Sequence, residues 1–139
     1  MANPSAPELL ERDFGVLTDL VRDHARRDPG HLALQDDERR IDYAELDALM
    51  DCVAAGLQRD GVMPGEAIAV CAVSSALYAA VFLGALRAGV VVAPLAASVT
   101  PASFRSMLAD AGARLLFVDT SADAEIGRAS CRERVCYAV

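Results

Sequence analysis

The chain has 139 residues and a formal net charge of −7, with 54% hydrophobic and 24% charged residues. These proportions are typical of a folded chain of at most one domain and exclude a disordered protein. A negative charge without a cluster of basic residues argues against a nucleic-acid-binding surface. All 13 basic residues are arginine, which excludes any mechanism that needs a lysine within this sequence.

The four cysteines are too few and too unevenly spaced for a secreted disulfide scaffold. Cys52 and Cys71 lie in apolar runs, where cysteine is usually a small buried side chain. Cys131 and Cys136 have no matching pair of Cys or His that would complete a zinc site. Residues 1–12 lack the basic and apolar regions of a signal peptide. We therefore expect a protein of the reducing cytoplasm.

The N-terminal third of the chain predicts a helix and a hairpin. Residues 1–13 are polar and contain prolines, so we predict a mobile start. From Phe14 onward the apolar residues follow helical spacing as far as Asp28-Pro29-Gly30, which predicts a helix. Two short stretches on either side of a polar turn, 32–35 and 40–42, predict a β-hairpin.

A long helix is predicted next. Asp42 and Glu45 form a capping pair at its start, apolar residues recur at intervals of three and four, and Gly61 ends it.

Residues 67–118 alternate between short uncharged runs and helical patterns. The uncharged runs are typical of strands buried on both faces. The predicted strands are 67–73, 90–93 and 115–118, and the predicted helices between them are 76–88, capped by Ser74 or Ser75, and 102–111. This order predicts a right-handed parallel βαβαβ unit. The predicted fold class is therefore α/β, with an N-terminal helix and β-hairpin, a long capped helix and then the parallel unit.

One alternative for this region is a membrane span, because residues 67–86 are twenty positions without a charge. However, Ser74 and Ser75 interrupt the run where β-branched residues give way to helix formers. Alanine rather than leucine dominates it, and the next uncharged run, 88–97, is broken by Pro94. We therefore predict no membrane span.

The end of the chain differs in character from the rest. Three arginines and two glutamates give residues 125–139 a charge of +1, against −8 for residues 1–124. Residues 125–135 resemble the translation of a common sequencing-library adapter. We therefore predict that residues 125–139 are non-native and that the native frame is interrupted near Ala124. The alternative is an ordinary disordered tail.

Few residues suggest chemistry. Neither His24 nor His31 has a Cys or Ser in a nucleophile setting, so we interpret both as surface or capping residues. Gly84 and Gly89 have the spacing of a phosphate loop. However, Val90 and Val91 follow where Lys and Ser or Thr are required, and a helix rather than a strand precedes the glycines.

The acidic groups have structural interpretations too. We interpret Asp36-Asp37-Glu38 as a solvated turn. We interpret Asp42, Glu45 and Asp47 as part of a helix start, where the helix dipole favours carboxylates. Neither group is interpreted as a set of metal ligands. Ser74 and Asp119 follow predicted strands at the edge where α/β folds bind ligands. Capping and turn roles fit them better. We assign no catalytic, cofactor-binding or metal-binding residue.

Eight short strings, in order and with their spacing, resemble the start of the adenylate-forming (AMP-binding) ligases, the superfamily of acyl-CoA synthetases and peptide-synthetase adenylation domains. The similarity covers about residues 15–119. The strings are DP at 28–29 with AL at 33–34, IDYAEL at 41–46, AAGL at 54–57, GVxPGE at 61–66, IAV at 68–70, LGALRAG at 83–89, VAPL at 92–95 and ARLLFVD at 113–119. The chain departs from the usual pattern at Ser74-Ser75, where asparagine is common, and at Ala96-Ala97, where Asn-Pro often follows.

The resemblance implies that residues 14–124 are the first part of a large N-terminal domain. A parent protein of this kind uses ATP and magnesium to convert a carboxylate into an acyl-adenylate, and coenzyme A commonly takes the acyl group. The phosphate-binding loop with its lysine and the C-terminal domain with its catalytic lysine come later in such enzymes, and a chain without lysine contains neither. We therefore expect this chain to be inactive by itself.

Three interpretations stay open. The first is a truncated stand-alone acyl-CoA synthetase, the second is a piece of a peptide-synthetase adenylation domain, and the third is a small non-enzymatic α/β module. In the first two, buried parallel strands lack their neighbours, so we also expect poor solubility or self-association through an edge strand.

Overall fold

A computed structural model of the chain describes residues 6–12, 15–96, 98–119 and 136–138. In chain order the elements are α1 (Ala6–Leu10), α2 (Leu17–Arg27), β1 (Leu32–Gln35), β2 (Arg40–Asp42), α3 (Tyr43–Arg59), β3 (Ala67–Cys71), α4 (Ala76–Arg87), β4 (Val91–Pro94), α5 (Pro101–Asp110), β5 (Leu116–Val118) and β6 (Cys136–Ala138). The predicted α/β class and the predicted order of elements from α2 to β5 are confirmed.

The N-terminal helices differ in detail from the prediction. Within the stretch predicted to be mobile, α1 is helical and buries Leu9 to 4% exposure. In α2 the buried face contains Thr18, Val21 and Asp23, whereas the apolar Leu17 is 53% exposed. Polar contacts accompany the burial of Thr18 and Asp23 on this face. The Thr18 carbonyl accepts a hydrogen bond from an arginine of α4, and the Asp23 carboxylate pairs with Arg27 at 3.1 Å.

The hairpin and the long helix form as predicted. β1 pairs antiparallel with β2 over the predicted residues, with a shift in register between Leu32 and Leu34. Asp42 then caps α3, since its Oδ1 accepts a hydrogen bond from the amide of Glu45 at 2.8 Å. Gly61 follows the helix at φ 77°, a backbone conformation that glycine adopts at low cost.

The parallel sheet has the order β4-β3-β5-β6. Its central strand, β3, pairs in parallel with β4 from Ala67↔Val91 and with β5 from Ala69↔Leu116. Burial on both faces was predicted for all three strands. It is correct for β3 and nearly so for β5, but wrong for β4, where Val91 is 52% exposed. Among the described strands β4 lies at the end of the sheet, with β3 as its one neighbour there.

Helices cover the sheet on opposite faces. Ile68 and Val70 of β3 pack with residues of α3 and α4, while Ala69 and Cys71 of the same strand pack with Phe104 and Leu108 of α5. This follows from the alternation of side chains along a strand. α2 and the hairpin lie against α3 and α4 through a third apolar cluster. Its buried residues are Val21, Ile41, Leu46, Met50, Ala76 and Ala80.

The contact between α3 and α4 depends on Gly84. A Cβ atom at this position would lie 2.6 Å from Cβ of Val53 and 3.0 Å from the carbonyl oxygen of Met50. A non-bonded contact of 2.6 Å is closer than real Cβ atoms approach other atoms. The two helices therefore approach as closely as they do because position 84 has no side chain.

The last fifteen residues lie mostly outside the described part of the chain. Cys136–Ala138 form β6, which pairs in parallel with β5 and was not predicted from the sequence. The start of the predicted tail, residues 125–135, is outside the described residues, and so are residues 1–5 of the predicted mobile start. The foreign origin of the tail therefore stays a prediction.

Candidate functional site

The carboxyl edge of the sheet brings together the two residues singled out from the sequence. Ser74 is exposed in the loop after β3, and Asp119 follows β5, the next strand in the sheet. The Asp119 carboxylate accepts a hydrogen bond from the backbone amide of Val73 at 2.6 Å. Asp119 thus holds the loop that leaves the central strand, which is the turn role that the sequence favoured.

A second carboxylate holds the other end of the same loop. Oδ2 of Asp36, in the hairpin turn, accepts a hydrogen bond from the amide of Ala76 at 2.8 Å, and Oδ1 accepts from the amides of Glu38 and Arg39. These hydrogen bonds, with the Ala76 amide contributing most, lower the pKa of the Asp36 carboxyl below its ordinary value. Asp36 is therefore a structural link between the hairpin and α4.

The first turn of α4 does not fit the phosphates of ATP. Helix N-termini bind phosphate through free backbone amides. Here the amide of Ala76 donates to Asp36, and the amide of Tyr78 donates to Oγ of Ser75 at 3.1 Å. The negative charge of Asp36 would also repel a phosphate group. No step of a reaction is assigned to this edge.

A cluster that the sequence analysis did not identify centres on Arg87. Its side chain is 9% exposed and joins three helices. Nη2 donates to Oδ1 of Asp47 at 2.6 Å, and Nη1 donates to Oδ1 of Asp51 and to the carbonyl of Asp47, both at 2.9 Å. Nη2 also contacts the carbonyl of Thr18 at 3.4 Å, and Arg22 of α2 reaches Asp51 at 3.1 Å.

The arrangement around Arg87 is structural. A guanidinium that donates to acceptors on two other helices fixes the relative positions of α2, α3 and α4. Asp47, taken from the sequence as part of a helix start, is an ion-pair partner instead. The available sequence signal was the presence of two aspartates four residues apart in α3, Asp47 and Asp51, which places them on one helix face.

The two histidines flank one tyrosine. The ring of His24 stacks on Tyr43 at a centroid distance of 4.8 Å, and His31 lies 6.3 Å from the same ring. His31 also approaches the carboxylate of Asp28 at 3.6 Å. Both histidines are exposed, in keeping with their interpretation as surface residues.

An apolar groove is lined by residues of the C-terminal half of α3 and by Phe117 of β5. It has a volume of about 240 Å³. Phe117 forms its floor from the sheet side, and the Arg59–Asp60 ion pair lies at one end. The lining residues are Cys52, Val53, Gly56, Leu57, Arg59, Asp60 and Phe117. This composition is that of a packing surface, without the converging polar groups that orient a reacting substrate.

The described part of the chain holds neither a metal-ion cluster nor a membrane-spanning helix. Within residues 6–12, 15–96, 98–119 and 136–138, no three His, Cys, Asp or Glu side chains are placed to share a metal ion. None of the described helices has the length and apolar character needed to cross a membrane.

Comparison with known proteins identifies the family. The model of the AMP-binding enzyme family matches residues 21–138. The comparison with curated proteins gives no match.

Solved structures share the fold. VinN has a TM-score of 0.81 and 32% identity over 91% of this chain, and has also been solved with L-aspartate and with 3-methylaspartate. A putative long-chain-fatty-acid CoA ligase from Rhodopseudomonas palustris has a TM-score of 0.81 at 21% identity over 92% of this chain. The nonribosomal peptide synthetase FmoA3, solved with α-methyl-L-serine-AMP, has a TM-score of 0.73 at 25% identity over 80% of this chain.

The chain corresponds to only part of each neighbour. It covers 34% of VinN, 33% of the Rhodopseudomonas ligase and 13% of FmoA3. The fold is therefore a partial domain of a larger structure. The chain belongs to the AMP-binding enzyme family and is an N-terminal fragment of an adenylate-forming ligase.

Proposed function

We propose that this chain is the first part of an ATP-dependent carboxylate–CoA ligase. In the full-length parent, a carboxylate would attack the α-phosphate of ATP, release pyrophosphate and form an acyl-adenylate, and the thiol of coenzyme A would then take the acyl group. The observation that carries this proposal is the family match over residues 21–138. The likeness to the Rhodopseudomonas ligase supports the fold alone.

Within that reaction the chain would act as a scaffold. The hydrogen bonds of Asp36 and Asp119 fix the loop between β3 and α4, and the Arg87 cluster fixes the helices behind the sheet. Both arrangements would support the groups that bind ATP, magnesium and coenzyme A, which we place in the rest of the parent. We also propose a cytoplasmic location, because the four cysteines are too few and too unevenly spaced for a secreted disulfide scaffold.

A second candidate is an amino-acid-activating adenylation domain. VinN, at 32% identity, has been solved with two amino acids, and FmoA3 with an aminoacyl-adenylate. Membership of the family favours both candidates over a small non-enzymatic module.

The substrate class is tested on the full-length parent. ATP–pyrophosphate exchange with a panel of fatty, aryl and amino acids identifies the acid that is activated. A transfer assay with coenzyme A or a carrier protein then identifies the thiol. Exchange with fatty or aryl acids and transfer to coenzyme A supports the ligase. Exchange with amino acids alone, and transfer to a carrier protein, overturns it in favour of the second candidate.

We also propose that the 139-residue chain by itself is inactive. Pyrophosphate release is measured with ATP, magnesium and each acid of the same panel, and the full-length parent serves as the positive control. We expect signal from the parent only. Turnover by the 139-residue chain contradicts its inactivity, whereas a silent parent contradicts the ligase proposal itself.

A further inference from the structure

The outer edge of β4 is the part of the molecule that offers backbone groups to another strand. In the part of the chain that the structure describes, β4 is the last strand on its side of the sheet, and Val91 on it is 52% exposed. Edge strands of this kind are templates for pairing with a second chain unless something blocks them. Whether β4 can accept a partner depends on which of its amides and carbonyls point outward.

The hydrogen bonds to β3 show which backbone amides and carbonyls of β4 point outward. The amide of Val91 donates to the carbonyl of Glu66 at 2.8 Å, and the amide of Leu95 donates to the carbonyl of Val70 at 2.9 Å. Successive residues of a strand direct their backbone groups to alternate sides. Residues 91, 93 and 95 therefore face β3, and residues 90, 92 and 94 face away from the sheet.

Of the three outward positions, one has an amide hydrogen to offer. The amide of Val90 already donates to the carbonyl of Ala85 at 3.0 Å. Pro94 has no amide hydrogen. Val92 remains as the donor, while all three residues still present carbonyl oxygens.

We infer that Pro94 blocks the pairing of two copies of this chain through β4. In an antiparallel pair centred on Val92, the two Val92 residues exchange two hydrogen bonds. The flanking positions place Val90 of one copy opposite Pro94 of the other. Neither residue supplies a hydrogen there, so the flanking carbonyls lose water without gaining a partner, which is costly. Proline within sheets is confined to such edge positions.

A blocked edge at β4 contradicts one expectation from the sequence, that of self-association. Self-association through an edge strand was expected because a partial sheet has open edges. Because Val92 alone offers an outward amide hydrogen among residues 90, 92 and 94, β4 of one copy does not pair with β4 of a second copy.

The test restores the missing amide. Pro94→Ala adds one outward N–H to each copy and hence two hydrogen bonds to an antiparallel dimer. At typical net hydrogen-bond strengths, we expect this change to tighten self-association by at least about tenfold. Pro101→Ala is the matched control, because Pro101 lies in the first turn of α5, where its nitrogen has no partner in the sheet. Sedimentation equilibrium over a range of concentrations measures the association constants of all three proteins.

A second measurement locates the contact. In the Pro94→Ala protein, the amides of residues 92 and 94 should exchange with deuterium more slowly as the protein concentration rises. Association of Pro94→Ala no tighter than that of the original chain overturns the inference. A dimer of the original chain whose Val92 amide is already protected overturns it as well. Tighter association without protection at residues 92 and 94 places the contact elsewhere and also contradicts it.

Discussion

Two glycines in the middle of helices have opposite roles. Gly84 lies where α3 and α4 touch, whereas a Cβ at Gly56 of α3 would meet nothing closer than 4.0 Å, the Nη2 atom of Arg59. The same substitution therefore tests close packing at one position and helix propensity at the other.

We expect Gly84→Ala to lower the free energy of unfolding by about 1–3 kcal/mol, because α3 and α4 must separate to admit the methyl group. Gly56→Ala should raise it by about 0.5–1 kcal/mol, since alanine loses less backbone entropy in a helix. Urea unfolding followed by circular dichroism measures both. Equal effects of the two substitutions would show that the contact at Gly84 is not tight.

Arg87 and Arg22 share the same two aspartates but differ in burial. The side chain of Arg87 is 9% exposed and that of Arg22 is 34% exposed. We expect Arg87→Met to cost about 3 kcal/mol of unfolding free energy, because Asp47 loses its close partner in a partly buried position. Arg22→Met should cost less than about 1 kcal/mol. The same urea unfolding measurement compares them, and a small effect at Arg87 would argue against its role in joining the three helices.

The carboxylate of Asp36 links the hairpin to α4. Its pKa is lowered in the folded state, so the stabilisation is fully present above the ordinary value of about 3.8 and is lost as the pH falls below it. We expect the difference in stability between the original chain and Asp36→Asn to shrink as the pH is lowered through this window. Thermal melts between pH 2.5 and 6, a range of about four pH units around the ordinary pKa, measure the difference. A stability difference that stays constant over this range would argue against the link between the hairpin and α4.

Most helices and strands could be predicted because each depends on residues that lie close together in the sequence. The hairpin strands 32–35 and 40–42 and the Asp42 cap follow from a polar turn and from the spacing of a few neighbouring residues. Strand order is not local. The edge position of β4 therefore could not be read from its apolar sequence, which resembles that of the central strand β3.

The polar contacts were harder to predict for the same reason. Asp36 and Ala76 are separated by 40 residues, and so are Asp47 and Arg87. Sequence alone placed Ser74 and Asp119 at one edge of the sheet, since both follow parallel strands. It could not show that Asp119 binds the amide of Val73, which depends on β5 lying next to β3.

At the scale of the whole molecule, the chain covers about a third of VinN and of the Rhodopseudomonas ligase. This partial coverage explains why an apolar surface is left exposed. The groove lined by Phe117 is a surface that the rest of a larger domain would cover.

The boundary of the native sequence is tested at the level of DNA. We expect codons 125–135 to match a sequencing adapter. We expect the uninterrupted gene to continue past Ala124 into the phosphate-binding loop of the family. Amplification of this region from genomic DNA, followed by sequencing, measures both. A genomic sequence that encodes residues 125–139 as printed would sink the idea of a foreign tail.

The order of strands in the sheet also has a consequence for synthesis on the ribosome. β3 and β4 are both available once residue 94 has emerged, but the other side of β3 pairs with residues 116–118, and Asp119 binds the loop after β3 across 46 residues of chain. At translation rates of about 5–20 residues per second, the 24 residues from Leu95 to Val118 take roughly 1–5 s to appear. For that interval the central strand of the nascent sheet is an edge, so this is the stage at which a holding chaperone would protect the chain best.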